Sequence, residues 1–212
     1  MTRIPTLIET VRVREGRAPL WYLHLRRLVE SCRELGVPFP PAFEVPAGAD
    51  RVHRIAVGPK GLQVTERAVG STAPVWLVTA RTAHRPYPHK TTSRAAFDAA
   101  AAEAMDAKVG DALMLTTEGM VAECTIWSLL WWEGDRLAGP PLSLGVLRSV
   151  SRMRLEELVG PVLERTIPRV GLAGRSLLVA NAVRGVVPVA RLDGAAVPQD
   201  ARTAALAARF WP

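Results

Sequence analysis

Lys90 is the residue in this chain whose type most invites a chemical explanation. The sequence carries 27 Lys plus Arg, yet lysine occurs only at Lys60, Lys90 and Lys108, and every other basic residue is arginine. Lys90 sits in HRPYPHKTTSRAAFDAAAAEA, residues 84 to 104, ahead of an Ala-rich segment without Gly or Pro. That segment predicts a helix with Thr92 or Ser93 as its N-cap. An amine beside a helix start meets the positive end of the helix dipole, which disfavours its charged form and lowers its pKa. A neutral amine can attack a carbonyl to form a Schiff base, and a guanidinium, always protonated, cannot. The same position also suits a solvated surface lysine.

Two further groups bear on that chemistry. In GMVAECTIWSLLWW, Glu123 closes a short predicted strand, where a carboxylate can pair with a protonated pyridine nitrogen or simply edge a loop. In GVLRSVSRMRL, Val150 and Ser151 fall in the first turn of a predicted helix. Its free N–H groups and dipole suit a phosphate there, and a hydroxyl there also suits capping. The four histidines show no metal-ligand spacing, so no metal site is expected, and His89 reads as a packing or hydrogen-bonding residue.

Positioning these groups requires the elements around them. Leu7, Glu9, Val11 and Val13 alternate with Ile8, Thr10 and Arg12, which predicts a strand over 6–14. YLHLRRLVESCRELG spaces Leu25, Leu28, Val29, Cys32 and Leu35 as one helix face, stopped by Gly36. A Pro-rich link over 37–50 leads to RVHRIAV and LQVTERAV, joined by the turn GPKG, and then to PVWLVTAR. These three strands close a first α+β lobe, residues 1–82. The second and larger lobe, 83–212, holds the Lys90 helix and strands at DALMLT, MVAE and IWSLLWWE. It continues with a helix from Ser149 to Val159, the strand SLLVAN, the loop AVRG, the extended VVPVARL and a short C-terminal helix. Trp127, Trp131 and Trp132, grouped in one strand, are expected at a subunit interface.

The bulk numbers narrow the function classes. A hydrophobic share of 49% with 22% charged residues is that of a soluble globular protein, and no apolar run approaches a membrane span. The N-terminus alternates rather than forming an apolar signal block, and two distant cysteines suit a reducing compartment, so a cytoplasmic location is expected. The net charge of +7 is spread along the chain rather than gathered on one face, which argues against nucleic acid and for anionic small molecules.

Taken in order, five stretches resemble the fold-type IV pyridoxal-phosphate enzymes, the class IV aminotransferases, which include branched-chain and D-amino-acid aminotransferases and aminodeoxychorismate lyase. ETVRVREGRAPLWYLHLRRL is similar to the strand, turn and helix whose H-x-x-R-L arginine binds the cofactor phosphate, which implicates Arg27. HKTTSRAAFDAA is similar to the Schiff-base lysine block and implicates Lys90. GMVAECTIWSLLW matches the block whose glutamate bonds the pyridine nitrogen, here Glu123. PPLSLGVLRSVSR matches the phosphate-binding helix start, here Val150 and Ser151, and LLVANAVRGVVPV the loop closing that site, which brings in Asn181 and Ala182.

The resemblance implies a two-lobe, D-amino-acid aminotransferase-like α+β fold, pyridoxal 5′-phosphate as cofactor, a small-molecule amino substrate and a homodimer. HKTT, AEC with the LLW strand, and NAVRGVVPV lie nearest the lyase branch. That branch converts 4-amino-4-deoxychorismate to 4-aminobenzoate and pyruvate, with Arg184 the candidate for a substrate carboxylate. An aminotransferase acting on a branched-chain or D-amino acid shares the same first steps. A non-catalytic relative acting as partner or scaffold is the reading of another class. Three departures stand out: the chain starts almost directly at the E-T-x-R-V element, giving a trimmed N-terminal lobe; Ser128 stands where the family generally has Asn; and Ala182 replaces a hydroxyl residue.

Overall fold

The computed structural model describes residues 5–40, 46–71 and 73–212. It is an α+β structure whose strands form two sheets. The smaller is an antiparallel run of β1 (Leu7–Val13), β2 (Arg51–Gly58) and β3 (Gly61–Arg67), in that spatial order. Gly58 pairs with Gly61 across the two-residue turn Pro59–Lys60, and Gly61 takes the positive φ of 81° that this hairpin needs. The alternation along β1 is realised: Leu7 and Val11 pack with Ile55 and Val57 against Leu28 and Cys32 of α1 (Trp21–Leu35). Helix α1 ends at Gly36, left-handed at φ 64°, as the sequence predicts. Of the Pro-rich link at 37–50, residues 41–45 lie outside the described residues.

The larger sheet has nine strands in the order β6-β5-β4-β11-β10-β7-β8-β9, with β12 paired to β11. The strands are β4 (Val75–Thr79), β5 (Asp111–Leu115), β6 (Val121–Cys124), β7 (Ser128–Glu133), β8 (Arg136–Gly139), β9 (Leu163–Glu164), β10 (Leu177–Asn181), β11 (Gly185–Leu192) and β12 (Ala195–Ala196). Strict alternation divides its two faces. Leu129, Trp131, Leu177, Val179, Val187 and Val189 form one cluster with Val75, Leu77 and Leu113 from the other end of the sheet, so the sheet curls around its own core. The opposite residues, Leu130, Leu178, Ala180 and Val186, are covered by α3 (Val150–Val159) and α4 (Ala201–Arg209) through Val150, Met153 and Leu206. Helix α2 (Ala95–Asp106) covers β5, setting Phe97, Ala100 and Ala104 on Ala112 and Met114.

Three expectations change. The strand at 75–79, grouped by sequence with the two before it, pairs in parallel with β5 and β11 and belongs to the larger sheet. Helix α2 begins later than its Thr and Ser suggest, with Arg94 at the N-cap and no side-chain cap. The chain ahead of it is held by β1 instead: Ile8 N–H donates to Lys90 O at 2.8 Å, and Thr92 N–H to Thr6 O at 3.0 Å. The tryptophans are not an exposed interface. Trp131 is fully buried and Trp127 nearly so, while Trp132 donates to Thr203 Oγ1 and carries the Arg202 guanidinium over its ring.

Candidate active site

A cleft of about 210 Å³ opens between the small sheet and the ends of β6, β7 and β10. Arg27, Lys90, Glu123, Val150, Ser151, Asn181, Ala182 and Arg184, the residues singled out from sequence, all line it. Six cationic side chains face the cleft (Arg27, Arg54, Arg67, Lys90, Arg94 and Arg184) against one carboxylate, Glu123. Such a wall favours anionic ligands.

Lys90 is placed by the strand-like pairing of its own backbone with β1. Its pKa is pushed down to about 7, first by desolvation in the cleft and then by the charge of Arg27, with Arg94 adding to it. The sequence-based cause, a helix dipole, is displaced, because α2 starts five residues further on. Burial in the cleft, with the charges of Arg27 and Arg94, does that work instead.

Arg27 on α1 is fixed by Glu9 of β1, donating from Nε to Oε1 at 2.9 Å and from a terminal nitrogen to Oε2. His24, one turn earlier on α1, holds Glu9 Oε2 through Nδ1 at 2.6 Å. Burial alone would raise the Glu9 pKa, but Arg27 and His24 overcome it and hold it down to about 2. Glu9 and His24 escaped the sequence reading, although the H-x-x-R spacing and the lone acid in an apolar alternation both pointed to them. His24 Nε2 is buried with no partner among the described residues, and so is Trp127 Nε1. Both rings line the cleft.

Glu123 is buried at the end of β6, with Oε1 accepting from His84 Nε2 at 3.0 Å and from the Leu147 N–H at 3.0 Å. Its other oxygen has no partner among the described residues. His84 is itself buried, edge-on against Phe97. The wall between Glu123 and β7 is tied by Asp111, which accepts from Thr125 Oγ1 and from the Ile126 N–H at 3.1 Å. Arg94 closes it from the other side, donating to Thr125 O at 2.7 Å.

Ser149 caps α3 by accepting from Arg152 N–H at 3.0 Å. The N–H groups of Val150 and Ser151 have no acceptor within the helix and are available at the cleft. The Ser151 hydroxyl is engaged with Ala180 O at 3.0 Å, so this residue offers its backbone rather than its side chain. Ser128 joins Ser149 Oγ at 2.7 Å. Asn181 acts on the loop: its Oδ1 accepts the N–H groups of Val183 at 3.0 Å and Arg184 at 2.8 Å, shaping the turn past Ala182. Arg184 then lies over the Trp127 ring, 5.2 Å from its centroid.

Residues 63–192 match the model of the amino-transferase class IV family. No curated protein matches the sequence. Among solved structures, a hypothetical aminotransferase from Mycobacterium tuberculosis in its PLP-bound form superposes with a TM-score of 0.84 at 22% identity, covering 99% of this chain and 88% of its own. A Legionella pneumophila protein assigned as a 4-amino-4-deoxychorismate lyase gives 0.81 at 21% identity, covering 97% and 91%. A Mesorhizobium loti protein assigned as an amino-acid aminotransferase gives 0.78 at 26% identity, covering 88% and 99%.

Proposed function

The chain belongs to the amino-transferase class IV family, whose enzymes use pyridoxal 5′-phosphate, and from that premise we propose an aminodeoxychorismate lyase-like enzyme that releases 4-aminobenzoate and pyruvate from 4-amino-4-deoxychorismate. One observation supports this substrate above others. Arg184 is fixed over Trp127 at the cleft mouth, with no carboxylate partner among the described residues. A flat, unsaturated ring carrying carboxylates suits that arrangement.

The donor set of the cleft fits the cofactor. Arg27, with the N–H groups of Val150 and Ser151, offers a phosphate three kinds of contact: a guanidinium held rigid by Glu9, free backbone donors and a helix N-terminus. Asn181 and Ala182 shape the facing loop. Glu123, with one oxygen committed to His84 and Leu147, has the other for a protonated pyridine nitrogen. Lys90 is the amine that would carry the group covalently. When bound, the cofactor supplies an electron sink for the substrate carbon bearing the amine.

The remaining steps belong to this chain. Lys90 Nζ, its pKa lowered to about 7 so that the neutral amine is well populated at that pH, takes the proton from the amine-bearing carbon. Aromatisation of the substrate ring then favours cleavage of the ring carbon–oxygen bond, and the enolpyruvyl group departs as the enolate of pyruvate, which becomes pyruvate on protonation of its methylene carbon. Arg184 holds a substrate carboxylate throughout. Incubation of the cofactor-loaded protein with 4-amino-4-deoxychorismate should release 4-aminobenzoate and pyruvate in equal amounts. Amino transfer to a 2-oxo acid without aminobenzoate would replace the lyase reading by an aminotransferase one. Failure to take up the cofactor, read as no visible absorption band, would overturn both in favour of a non-catalytic partner or scaffold.

The protein is further proposed to act in the cytoplasm, in keeping with two buried, unpaired cysteines, and as a homodimer. Leu62 and Val64 on β3 and Ile126 beside the cleft are exposed apolar groups of the kind a subunit contact covers. Light scattering should return a mass near twice the 23.0 kDa of the chain, and a monomer mass would remove the dimer.

A further inference from the structure

The stretch that carries Lys90, RPYPHKT, has no regular secondary structure ahead of Thr91, and its prolines limit what could give it any. Pro88 has no N–H to donate and keeps Tyr87 extended. The lysine at its end is nevertheless fixed. On one side β1 holds it: Ile8 N–H donates to Lys90 O and Thr92 N–H to Thr6 O, so Leu7 and Thr91 stand opposite as a non-hydrogen-bonded antiparallel pair. His89 is tied to α1, its Nδ1 3.1 Å from Ser31 Oγ. In such a pair the N–H and C=O of Thr91 point away from β1, and Thr91 is buried. What meets them is the Tyr87 hydroxyl, which donates to Thr91 O and accepts from Thr91 N–H at 2.7 Å. One side chain thus satisfies both backbone groups and closes the chain from 87 to 91 around Lys90.

Tyr87 is itself buried and anchored. Its N–H donates to Gly145 O at 2.7 Å, its ring centre lies 4.8 Å from that of Phe97, and the Arg94 guanidinium stands over it at 5.7 Å. A Cβ added at Gly145 would meet Pro86 Cβ at 2.7 Å, so the two stretches are in direct contact. Two residues beyond, Leu147 N–H reaches Glu123 Oε1. The hydroxyl therefore links the Lys90 segment to the wall that carries Glu123. Alternation along the segment turns Lys90 into the cleft with Ile8, while Thr91 lies opposite Leu7. The charged and titratable groups around the amine are Arg27 and His24 from α1, Glu9 from β1, Arg94 ahead of α2 and Glu123 at the end of β6. Burial acts on it more strongly than any of these, so its proton affinity reports how deeply the segment is held.

We propose that Tyr87 is a positioning residue for the reaction, whose hydroxyl, by bridging the N–H and C=O of Thr91, fixes where Lys90 Nζ stands in the cleft. The inference rests on the reading that Lys90 carries the cofactor. It adds a residue that acts through Lys90, its hydroxyl being committed to Thr91.

Y87F keeps the ring and leaves both Thr91 groups buried without a partner. The amine of the cofactor-free Y87F protein should lose part of its burial, and loss of burial raises the pKa of an amine. The midpoint of its acylation, near pH 7 in the parent, should therefore rise by about one pH unit. In the cofactor-loaded protein kcat should fall by about ten- to a hundredfold with KM little changed. 4-Aminophenylalanine at position 87, which can donate to Thr91 O and accept from its N–H, should recover part of both losses. Y22F removes a hydroxyl bonded to Glu157 on the exposed side of α1 and should change neither. In the cofactor-free parent, Thr91 N–H should exchange with solvent as slowly as the N–H groups of Ile8 and Thr92. Free exchange at Thr91, or a folded Y87F protein with the parental midpoint even if its kcat falls, would overturn the assignment. The exchange measurement needs no variant, so it decides the matter where Y87F does not fold. Midpoint and exchange are both read without the cofactor. A Lys90→Ala protein that kept the visible band would remove the function assigned to Lys90, and the two readouts would still judge the Tyr87 contact.

Discussion

Lys90→Ala should eliminate both turnover and the visible absorption band of the cofactor-loaded protein, with activity falling at least about a thousandfold. The parent band should disappear on borohydride treatment, and a peptide carrying the reduced cofactor should map to Lys90 rather than to the exposed Lys60 or Lys108. Lys90→Arg tests the chemistry more sharply, because it restores the charge and most of the volume without an amine that can lose its proton. It should be as inactive as the alanine variant. The pH dependence has a definite sign: with the Lys90 pKa lowered to about 7, the amine of the cofactor-free protein is protonated below that pH and neutral above it. Its labelling by a limiting acylating reagent should therefore rise through a midpoint near pH 7. The fold should survive, since the substitution removes a buried amine whose charged form desolvation already disfavours. A Lys90→Ala protein that keeps the band would sink the assignment.

Much of this architecture was legible in the sequence because the relevant signals are local. The alternation of β1, the helical face of α1 with its Gly36 stop, the β2–β3 hairpin and the Ser149 cap of α3 each rest on a few adjacent residues. What escaped depends on partners distant in sequence. Strand β4 reads like a continuation of the hairpin, and its place between β5 and β11 is decided only by parallel pairing across the larger sheet. Thr92 and Ser93 have the composition of a helix cap, but their segment is recruited as an edge beside β1, and the helix waits for Arg94. The tryptophans show that size and polarity do not say which face is covered. Trp131 points into the curled side of the sheet, while Trp132, one residue on, lies beneath Arg202.

At the site the same division holds. The sequence pointed to residues that recur in a spaced pattern, Arg27, Lys90, Glu123 and the α3 start, and the fold brings these to one cleft. It did not disclose what holds them. Glu9 rigidifies Arg27 from a neighbouring strand, Asp111 ties the 125–126 wall, and His84 supports Glu123 from 39 residues away. The lowered pKa of Lys90 was anticipated in direction and not in cause. A helix dipole can be read from sequence, whereas burial and two converging guanidinium groups belong to tertiary structure.

Glu123→Gln should lower turnover on the order of 100- to 1000-fold, the scale seen when one group facing developing charge is removed from a desolvated site. The substitution is nearly isosteric, and the amide oxygen can still accept from His84 Nε2 and the Leu147 N–H, both 3.0 Å from Glu123 Oε1. Orientation should thus persist while the negative charge is lost, and an amide would stand where the carboxylate is proposed to meet the pyridine nitrogen. The electron sink weakens, so kcat should fall while KM changes little, and the absorption spectrum of the bound cofactor should shift in the absence of substrate. The groups proposed to hold the phosphate, Arg27 and the start of α3, are untouched, so cofactor affinity should fall far less than turnover. His84→Phe removes the support without removing the charge: as a positioning change it should cost about tenfold and broaden the pH dependence of the spectrum, because Glu123 then relies on the Leu147 N–H alone. His84→Gln, which can restore a donor to Glu123, should recover part of that loss, as a filler of volume would not. Parental turnover and an unshifted spectrum in Glu123→Gln would show that this carboxylate does not meet the pyridine nitrogen.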